Sequence, residues 1–154
     1  MIKNERLVRV QWGDCDPAGI VFYPRYFEWF DASTILLFEK ATGLTKIKML
    51  EKYGGAGLAL LEARAVFKIA SQYGDDIGIE SRVTEFRRTT FFVHHRVTRA
   101  DGALALEGFE TRLWTVRDAG TGRIKSGAMP SEVIAAFAEP GSDPGSDPSV
   151  LRSK

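Results

Sequence analysis

A carboxylate and the start of a helix stand close together in the segment Asp14-Cys15-Asp16-Pro17-Ala18-Gly19-Ile20-Val21-Phe22-Tyr23-Pro24. Pro17 and Gly19 indicate a tight turn. Pro24 suits the first position of a helix, where its missing N–H would have had no partner. The free N–H groups and the positive dipole end of a helix N-terminus attract negative charge. This combination suits a reaction that passes through an oxyanion beside a carboxylate base or nucleophile.

Long apolar and alternating segments predict the elements that hold this segment. The run from Arg25 to Ala41 has no Gly or Pro and is apolar around most of its circumference, which predicts a helix wrapped by other structure. Gly43 is its expected end, and Thr45 the expected cap of a second helix that ends at Tyr53. Period-two alternation predicts strands over 6–12, 59–69, 77–84, 90–98 and 103–116, a short sixth strand over 123–128 and a helical piece ending near 137.

These elements predict an α+β fold, in which a curved antiparallel sheet of five or six strands wraps around one long helix. Apolar residues at alternate positions from Ala59 to Ile69 predict one buried and one solvated face for their strand. Gly108 predicts a bend or bulge in the last long strand.

Composition narrows the class of protein. The chain has 154 residues, 44% of them hydrophobic, which is enough for one sizeable core. We expect one domain over residues 1–138 and a disordered tail rich in Gly, Ser, Asp and Pro over 139–154. A net charge of +1 gives no field that favours nucleic acid or a membrane surface. One cysteine, no metal-ligand spacing and no apolar leader or span predict a cytoplasmic protein without a bound metal and without membrane insertion.

The acidic segment and the helix that follows carry a family resemblance. Residues 13–33 read G-D-C-D-P-A-G-I-V-F-Y-P-R-Y-F-E-W-F-D-A-S and resemble the catalytic segment of the 4-hydroxybenzoyl-CoA thioesterase family. The specific part is D-x-D-x-x-G-x-x-x-Y-P-x-Y, and segments 70–76 and 85–91 agree in kind. Members of this family are hotdog-fold enzymes that hydrolyse acyl-CoA or aroyl-CoA thioesters. The resemblance covers about residues 5–138 and implies a hotdog fold. Sheet edges and helix ends that need covering lead us to expect at least a homodimer, with a homotetramer as the larger assembly.

The resemblance also implies roles for single residues. Asp16 falls on the catalytic carboxylate, as nucleophile or general base, and the Tyr23 backbone N–H on the group that polarises the thioester carbonyl. Asp31 falls on an Asp that lies near the hydroxyl of the acyl ring. The acyl pocket would include Phe22, Tyr26, Trp29 and Leu58, and the coenzyme A phosphates would be bound by Arg87, Arg88 and Thr90. The substrate is an acyl-CoA, aromatic or short-chain, and no separate cofactor is implied.

Other residues and functions were weighed against this interpretation. His94 and His95 are adjacent on a predicted strand, so they face opposite sides, and a core role is expected for His95. Glu62 is a secondary candidate for the catalytic acid. A hotdog dehydratase acting on acyl carrier protein is disfavoured because no His precedes position 94. The alternative of another class is a non-catalytic hotdog domain that binds acyl thioesters or a protein partner.

Overall fold

The structure is a computed structural model that describes residues 1–138. The predicted tail over 139–154 lies outside the described residues. Within them the helices are α1 Pro24–Thr42, α2 Lys46–Tyr53 and α3 Ser131–Ala135. The strands are β1 Lys3–Arg9, β2 Gly57–Phe67, β3 Asp76–Phe86, β4 Thr90–Arg99, β5 Leu104–Arg117 and β6 Ile124–Ser126.

The strands form one antiparallel sheet in the order β1-β3-β4-β5-β2, with β6 paired to β5. Helix α1 lies on the inner face of this sheet. Near its start, Phe30 stacks on His95 of β4 at 4.5 Å, and further along Phe38 packs on Phe91 at 4.9 Å. Two clusters of buried apolar side chains follow the helix on this face. The predicted hotdog arrangement is therefore confirmed.

The local signals at the helix ends act as expected. Pro24 occupies the first position of α1, and Gly43 ends it in the left-handed conformation with φ 68°. The Thr45 side chain accepts a hydrogen bond from the Lys48 N–H and caps α2. Both helices lie within one or two residues of their predicted bounds.

The predicted first strand is displaced toward the N-terminus. β1 ends at Arg9, and Trp12 belongs to a 3-10 turn, Trp12–Asp14, with a side chain 77% exposed. The expected alternation holds before that point, because Val8 is buried while Leu7 is exposed. Trp12 fits the alternating pattern of the sequence but is not part of the strand, because the Asp14 carboxylate accepts the Gln11 N–H and closes a turn there.

The predicted buried face of β2 was wrong for a single chain. Leu58 is buried, but Leu61 and Phe67 are 58% and 54% exposed. β2 is the last strand of the sheet, so one edge and much of its surface have no neighbour among residues 1–138. A register shift between Leu60 and Glu62 further disturbs the alternation.

The irregularity expected in β5 lies at Ala105, where the register with β4 shifts between Val97 and Thr98, and not at Gly108 itself. Gly108 keeps its register with His95 on β4 and Ala65 on β2. A Cβ atom at this position would overlap the ring of Phe30. The glycine therefore serves the close approach of α1 to the sheet, not a bend of the strand.

Candidate active site

Asp16 lies in a closed turn that leaves part of its carboxylate free. The Asp16 N–H donates to the Ile20 carbonyl at 2.9 Å, and the Gly19 N–H donates to the Asp16 carbonyl at 2.9 Å. Oδ1 accepts from the Ala18 N–H at 2.8 Å. Gly19 has φ 81°, which favours glycine at this corner. Within residues 1–138 Oδ2 has no hydrogen-bond partner, so it is available to a substrate or a water molecule.

Asp14, by contrast, is a structural cap. Its Oδ2 accepts the Gln11 N–H at 2.8 Å, and its backbone carbonyl accepts the Phe22 N–H at 2.8 Å. Arg25 lies 3.9 Å from its other oxygen. The two aspartates of the motif therefore have different roles. Asp14 stabilises the loop, and Asp16 keeps one carboxylate oxygen accessible.

The start of α1 supplies a backbone donor. Tyr23 precedes Pro24, which has no N–H, and the next two N–H groups, of Arg25 and Tyr26, donate to the carbonyls of Phe22 and Tyr23. In the part of the chain that the structure describes, the Tyr23 N–H itself has no acceptor. A free N–H at a helix start is a suitable partner for a carbonyl oxygen that gains negative charge.

Asp16 and Tyr23 line the same cleft, whose volume is about 320 Å³. This volume lies at the lower end of the range for small-molecule sites. Tyr26 and Phe67 contribute an aromatic wall, with ring centroids 5.9 Å apart. Trp29 stands behind this wall, 5.3 Å from Tyr26. Burial raises the pKa of the Tyr26 phenol, and hydrogen bonding to Ser71 opposes that rise without cancelling it.

The sheet fixes the position of this cleft. The Val21 N–H donates to the Ser71 carbonyl at 2.9 Å, and Ile20 forms a bridge with Gln72. The segment 70–75 then leads into β3, which begins at Asp76. The cleft with Asp16 therefore lies at the end of the sheet where β3 begins.

The predicted phosphate-binding residues lie at the other end of β3. Arg87 is bound to Glu85 at 2.7 Å and stacks over Phe92 at 4.7 Å. Arg88 is exposed, and its side chain has no partner among residues 1–138. Thr90 begins β4. Because β3 has 11 residues, roughly 30 Å separates this hairpin from the cleft in one chain.

Asp31 and Leu58 also lie apart from Asp16, and a third residue connects them. Arg112 of β5 donates from Nη2 to Asp31 Oδ1 at 2.7 Å and from Nη1 to the Leu58 carbonyl at 3.1 Å. Asp31 follows Tyr23 by eight positions, or about 12 Å along α1. Phe22 is 47% exposed and does not line the Asp16 cleft. Of the predicted acyl-site residues, Tyr26 lines the cleft directly and Trp29 supports it.

Sequence reasoning missed Glu110 and Arg112, which are buried on the inner face of β5. Two hydrogen bonds at 2.8 Å join the Arg112 guanidinium to both oxygens of Glu110. Burial raises the pKa of the Glu110 carboxyl, but hydrogen bonds from His95 and Arg112 outweigh burial and lower it to about 2. The available signal was a pair of opposite charges at alternate positions between Leu106 and Trp114, on a face expected to be apolar.

The core role expected for His95 is confirmed. His95 is fully buried, with Nδ1 2.7 Å from the Ser81 hydroxyl and Nε2 3.3 Å from Glu110. Burial lowers its pKa, so the ring is neutral at pH 7. A neutral ring that donates its Nε2–H to the Glu110 carboxylate accepts a hydrogen bond from the Ser81 hydroxyl at Nδ1. His94 faces the opposite side and pairs with Glu107 at 3.0 Å.

Glu62 stands away from the Asp16 cleft. It lines a separate depression of about 290 Å³ with Arg64 and Phe109. A larger depression, about 580 Å³, lies among residues of β1, β3 and β4 and includes neither Asp16 nor Tyr23. Size alone therefore does not identify the site.

The described residues, 1–138, lack the features of a metal site and of a membrane-spanning helix. No group of three or more His, Cys, Asp and Glu side chains there is arranged to hold a metal ion. No helix in the same range combines the length and the apolar character needed to cross a membrane.

Known proteins resemble the chain over nearly all of its described length. Residues 10–137 match the thioesterase-like superfamily. The 4-hydroxybenzoyl-CoA thioesterase of Pseudomonas sp. strain CBS-3 is 31% identical over 130 residues, which cover 82% of this chain and 91% of that protein. Acyl-CoA thioesterase YbgC of Haemophilus influenzae is 29% identical over 132 residues, covering 84% and 90%.

A solved structure gives the same result for the fold. A mutant of 4-hydroxybenzoyl CoA thioesterase, complexed with 4-hydroxybenzoyl CoA, superimposes with a TM-score of 0.80 at 28% identity. The match covers 88% of this chain and 99% of that one. The similarity seen in residues 13–33 thus extends to the whole described fold.

Proposed function

This chain belongs to the thioesterase-like superfamily, and we propose that it is an acyl-CoA thioesterase acting on an aromatic, hydroxybenzoyl-like, or short-chain acyl-CoA. The products are the free acid and coenzyme A. The observation that carries this proposal is the pairing, in one cleft, of a free carboxylate oxygen of Asp16 with the unpaired N–H of Tyr23. Membership of a thioester hydrolase family agrees with this geometry.

The reaction follows from these two groups. The thioester carbonyl oxygen accepts the Tyr23 N–H, and a preorganised donor of this kind stabilises the oxyanion by on the order of 3 kcal/mol. Asp16 attacks the carbonyl carbon and forms a mixed anhydride that water hydrolyses, or it removes a proton from an attacking water. In both routes the C–S bond breaks and coenzyme A leaves as the thiolate. The reaction needs no cofactor besides the coenzyme A thioester itself.

The separation of the predicted residues supports a site built from two chains. β2 has a free edge with exposed Leu60, Leu61 and Phe67. Antiparallel pairing of this edge with a second copy brings the partner's Gly57 end beside the Phe67 end that lines the Asp16 cleft. The partner's Leu58 and the 87–89 hairpin then approach the substrate. We propose a homodimer as the active unit and a homotetramer as the larger assembly.

The test is release of free coenzyme A from a panel of benzoyl, hydroxybenzoyl, short-chain and long-chain acyl-CoAs. Wild type should hydrolyse at least one hydroxybenzoyl or short-chain member well above background, and Asp16→Asn should lose at least roughly a hundredfold in rate. Glu62→Gln is the matched control, because it neutralises the other candidate carboxylate outside the cleft. If Asp16→Asn hydrolyses the panel as fast as wild type, or if no member is hydrolysed, a non-catalytic domain that binds acyl thioesters becomes the better account.

A further inference from the structure

Asp16 borders a second depression, separate from the cleft that it shares with Tyr23. This depression has a volume of about 320 Å³ and is lined by Trp12, Cys15, Asp16, Pro17, Gly19 and Tyr73. Asp16 is the one residue that lines both spaces. Phe22, Asp31 and Leu58, which the resemblance implies around the acyl group, line neither of them. The candidate catalytic carboxylate is therefore accessible from two sides.

Two exposed aromatic side chains form a wall of this depression. Trp12 is 77% exposed and Tyr73 is 60% exposed. Their rings meet edge to face, with centroids 5.6 Å apart. Apolar surface left in water is unfavourable, and adjoining exposed apolar side chains are typical of a binding surface. The pair thus offers an apolar surface beside the carboxylate.

Hydrogen-bonded turns hold both rings in place. Trp12 belongs to the closed 3-10 turn Trp12–Asp14. Tyr73 lies in a turn in which the Asp75 carboxylate accepts the Gln72 N–H at 2.9 Å. The Val10 N–H donates to the Asp75 carbonyl at 2.9 Å and joins the end of β1 to this turn. A wall fixed in this way loses little conformational entropy when it binds a ligand.

The two spaces differ in what lies next to them. Phe67 and Lys68, at the end of β2, line the Tyr23 cleft. The proposed pairing along β2 brings a second chain to this end, and the Lys68 ammonium suits the anionic coenzyme A arm. Trp12 follows β1, which is the opposite edge of the sheet. Pairing along β2 therefore leaves the second depression open to the other arm of the thioester.

We propose that the depression beside Trp12 and Tyr73 is a second subsite, which binds the apolar end of the acyl group. The Tyr23 cleft then holds the thioester carbonyl and the coenzyme A arm. The inference rests on the proposed thioesterase function. Because both spaces border Asp16, a carbonyl beside its carboxylate places one arm of the thioester in each. The site therefore favours acyl groups that reach the two rings over acetyl, which ends at its methyl group.

The test compares kcat/KM for benzoyl-CoA with that for acetyl-CoA in wild type, Trp12→Ala and Tyr73→Ala. Loss of one aromatic contact corresponds to roughly a tenfold change. Each variant should therefore lose roughly tenfold on benzoyl-CoA and less than about threefold on acetyl-CoA. Trp12→Phe and Tyr73→Phe keep a ring in place and should retain most of the rate on benzoyl-CoA.

Binding provides a readout that does not depend on turnover. In the Asp16→Asn background, Trp12→Ala should raise the dissociation constant of benzoyl-CoA by roughly tenfold. The dissociation constant of coenzyme A, which has no acyl group, should change by less than about threefold. Leu7→Ala is the matched control, because Leu7 is 83% exposed and lines neither space. It should change neither constant.

Equal losses on benzoyl-CoA and acetyl-CoA, or an equal rise in the dissociation constant of coenzyme A, would assign the two rings to the coenzyme A arm and overturn the inference. Alanine variants that match wild type on both substrates would also overturn it. Failure of wild type to hydrolyse any acyl-CoA would instead overturn the proposed function, and the dissociation constants would still test the subsite.

Discussion

Hydrogen bonds give Asp14 and Asp16 different chemistry although they are the same residue type two positions apart. The Asp14 carboxylate is engaged by the Gln11 N–H, whereas Asp16 keeps an oxygen free in the cleft. A carboxylate that acts as a nucleophile or a general base needs an accessible oxygen held in one place. The Ala18 N–H provides the restraint at Oδ1, and Oδ2 has no hydrogen-bond partner among residues 1–138.

The buried charges of β5 predict a specific loss of stability in acid. Unfolded Glu110 takes up a proton near its ordinary pKa of 4.5, while the folded carboxylate stays ionised down to about 2. Stability from this group is therefore present above about pH 4.5 and lost as the pH falls toward 2, by about 3 kcal/mol in total. His95, whose pKa is lowered by burial, acts in the same direction from about pH 6.5 downward.

The measurement is the free energy of unfolding between pH 7 and pH 2 for wild type and Glu110→Gln. The variant should be less stable at pH 7, because Arg112 is left without its buried partner. As the pH falls below 4.5, the unfolding free energy of Glu110→Gln should decrease less steeply than that of wild type. Parallel curves in that range would mean that Glu110 does not titrate as the buried pair requires.

At the scale of elements, the distance between α1 and the sheet depends on Gly108. A Cβ at this position would overlap the Phe30 ring, so Gly108→Ala forces the helix or the ring to move. We expect a loss of about 1 to 3 kcal/mol in unfolding free energy, the range for overpacked cores. Denaturant unfolding measures this loss.

Gly57→Ala in β2 is the control, since its Cβ would lie at an ordinary 3.6 Å from the Thr115 hydroxyl. Phe30→Leu combined with Gly108→Ala should recover part of the loss by making room. Equal stability of Gly108→Ala and wild type would contradict the close approach of Phe30 to Gly108.

The elements were largely predictable because their signals are local. Pro24 and Gly43 set the ends of α1 through their backbone preferences, and Thr45 caps α2 with its side chain. The packing role of Gly108 was not predictable, because a glycine in a strand looks the same in sequence whether it bends the chain or admits a ring from another element. The roles of Glu110 and Arg112 were not predictable for a similar reason, since only the fold shows that these alternate positions on β5 contact His95 and Asp31.

At the scale of the whole molecule, the cleft and the residues proposed to bind the coenzyme A phosphates lie at opposite ends of one sheet. A one-dimensional motif does not contain this separation, because Asp16 and Arg88 each match their own segment of the family pattern. The proposed pairing of two chains along β2 would bring the two ends together. The exposed apolar side chains of that strand agree with such an interface.

Mixed dimers test this arrangement. Asp16→Asn should lower the rate by at least roughly a hundredfold, and Arg88→Ala should raise KM through the loss of the proposed phosphate contact. If each site takes Asp16 from one chain and Arg88 from the other, co-refolding the two variants restores a population of sites with both native residues. Sites with wild-type KM should then reappear in the mixture. A mixture that shows only the properties of its separate components would contradict a shared site.

The most direct measurement of the central claim is kcat of Asp16→Asn on its best acyl-CoA, with the dissociation constant for that substrate determined on the same protein. In the proposed mechanism Asp16 acts on the reacting carbonyl, while binding comes from the rest of the cleft. We therefore predict that kcat falls by at least roughly a hundredfold and that the dissociation constant changes by less than about threefold. A kcat within about tenfold of wild type, or a loss confined to binding, would contradict the assignment of Asp16 as the catalytic carboxylate.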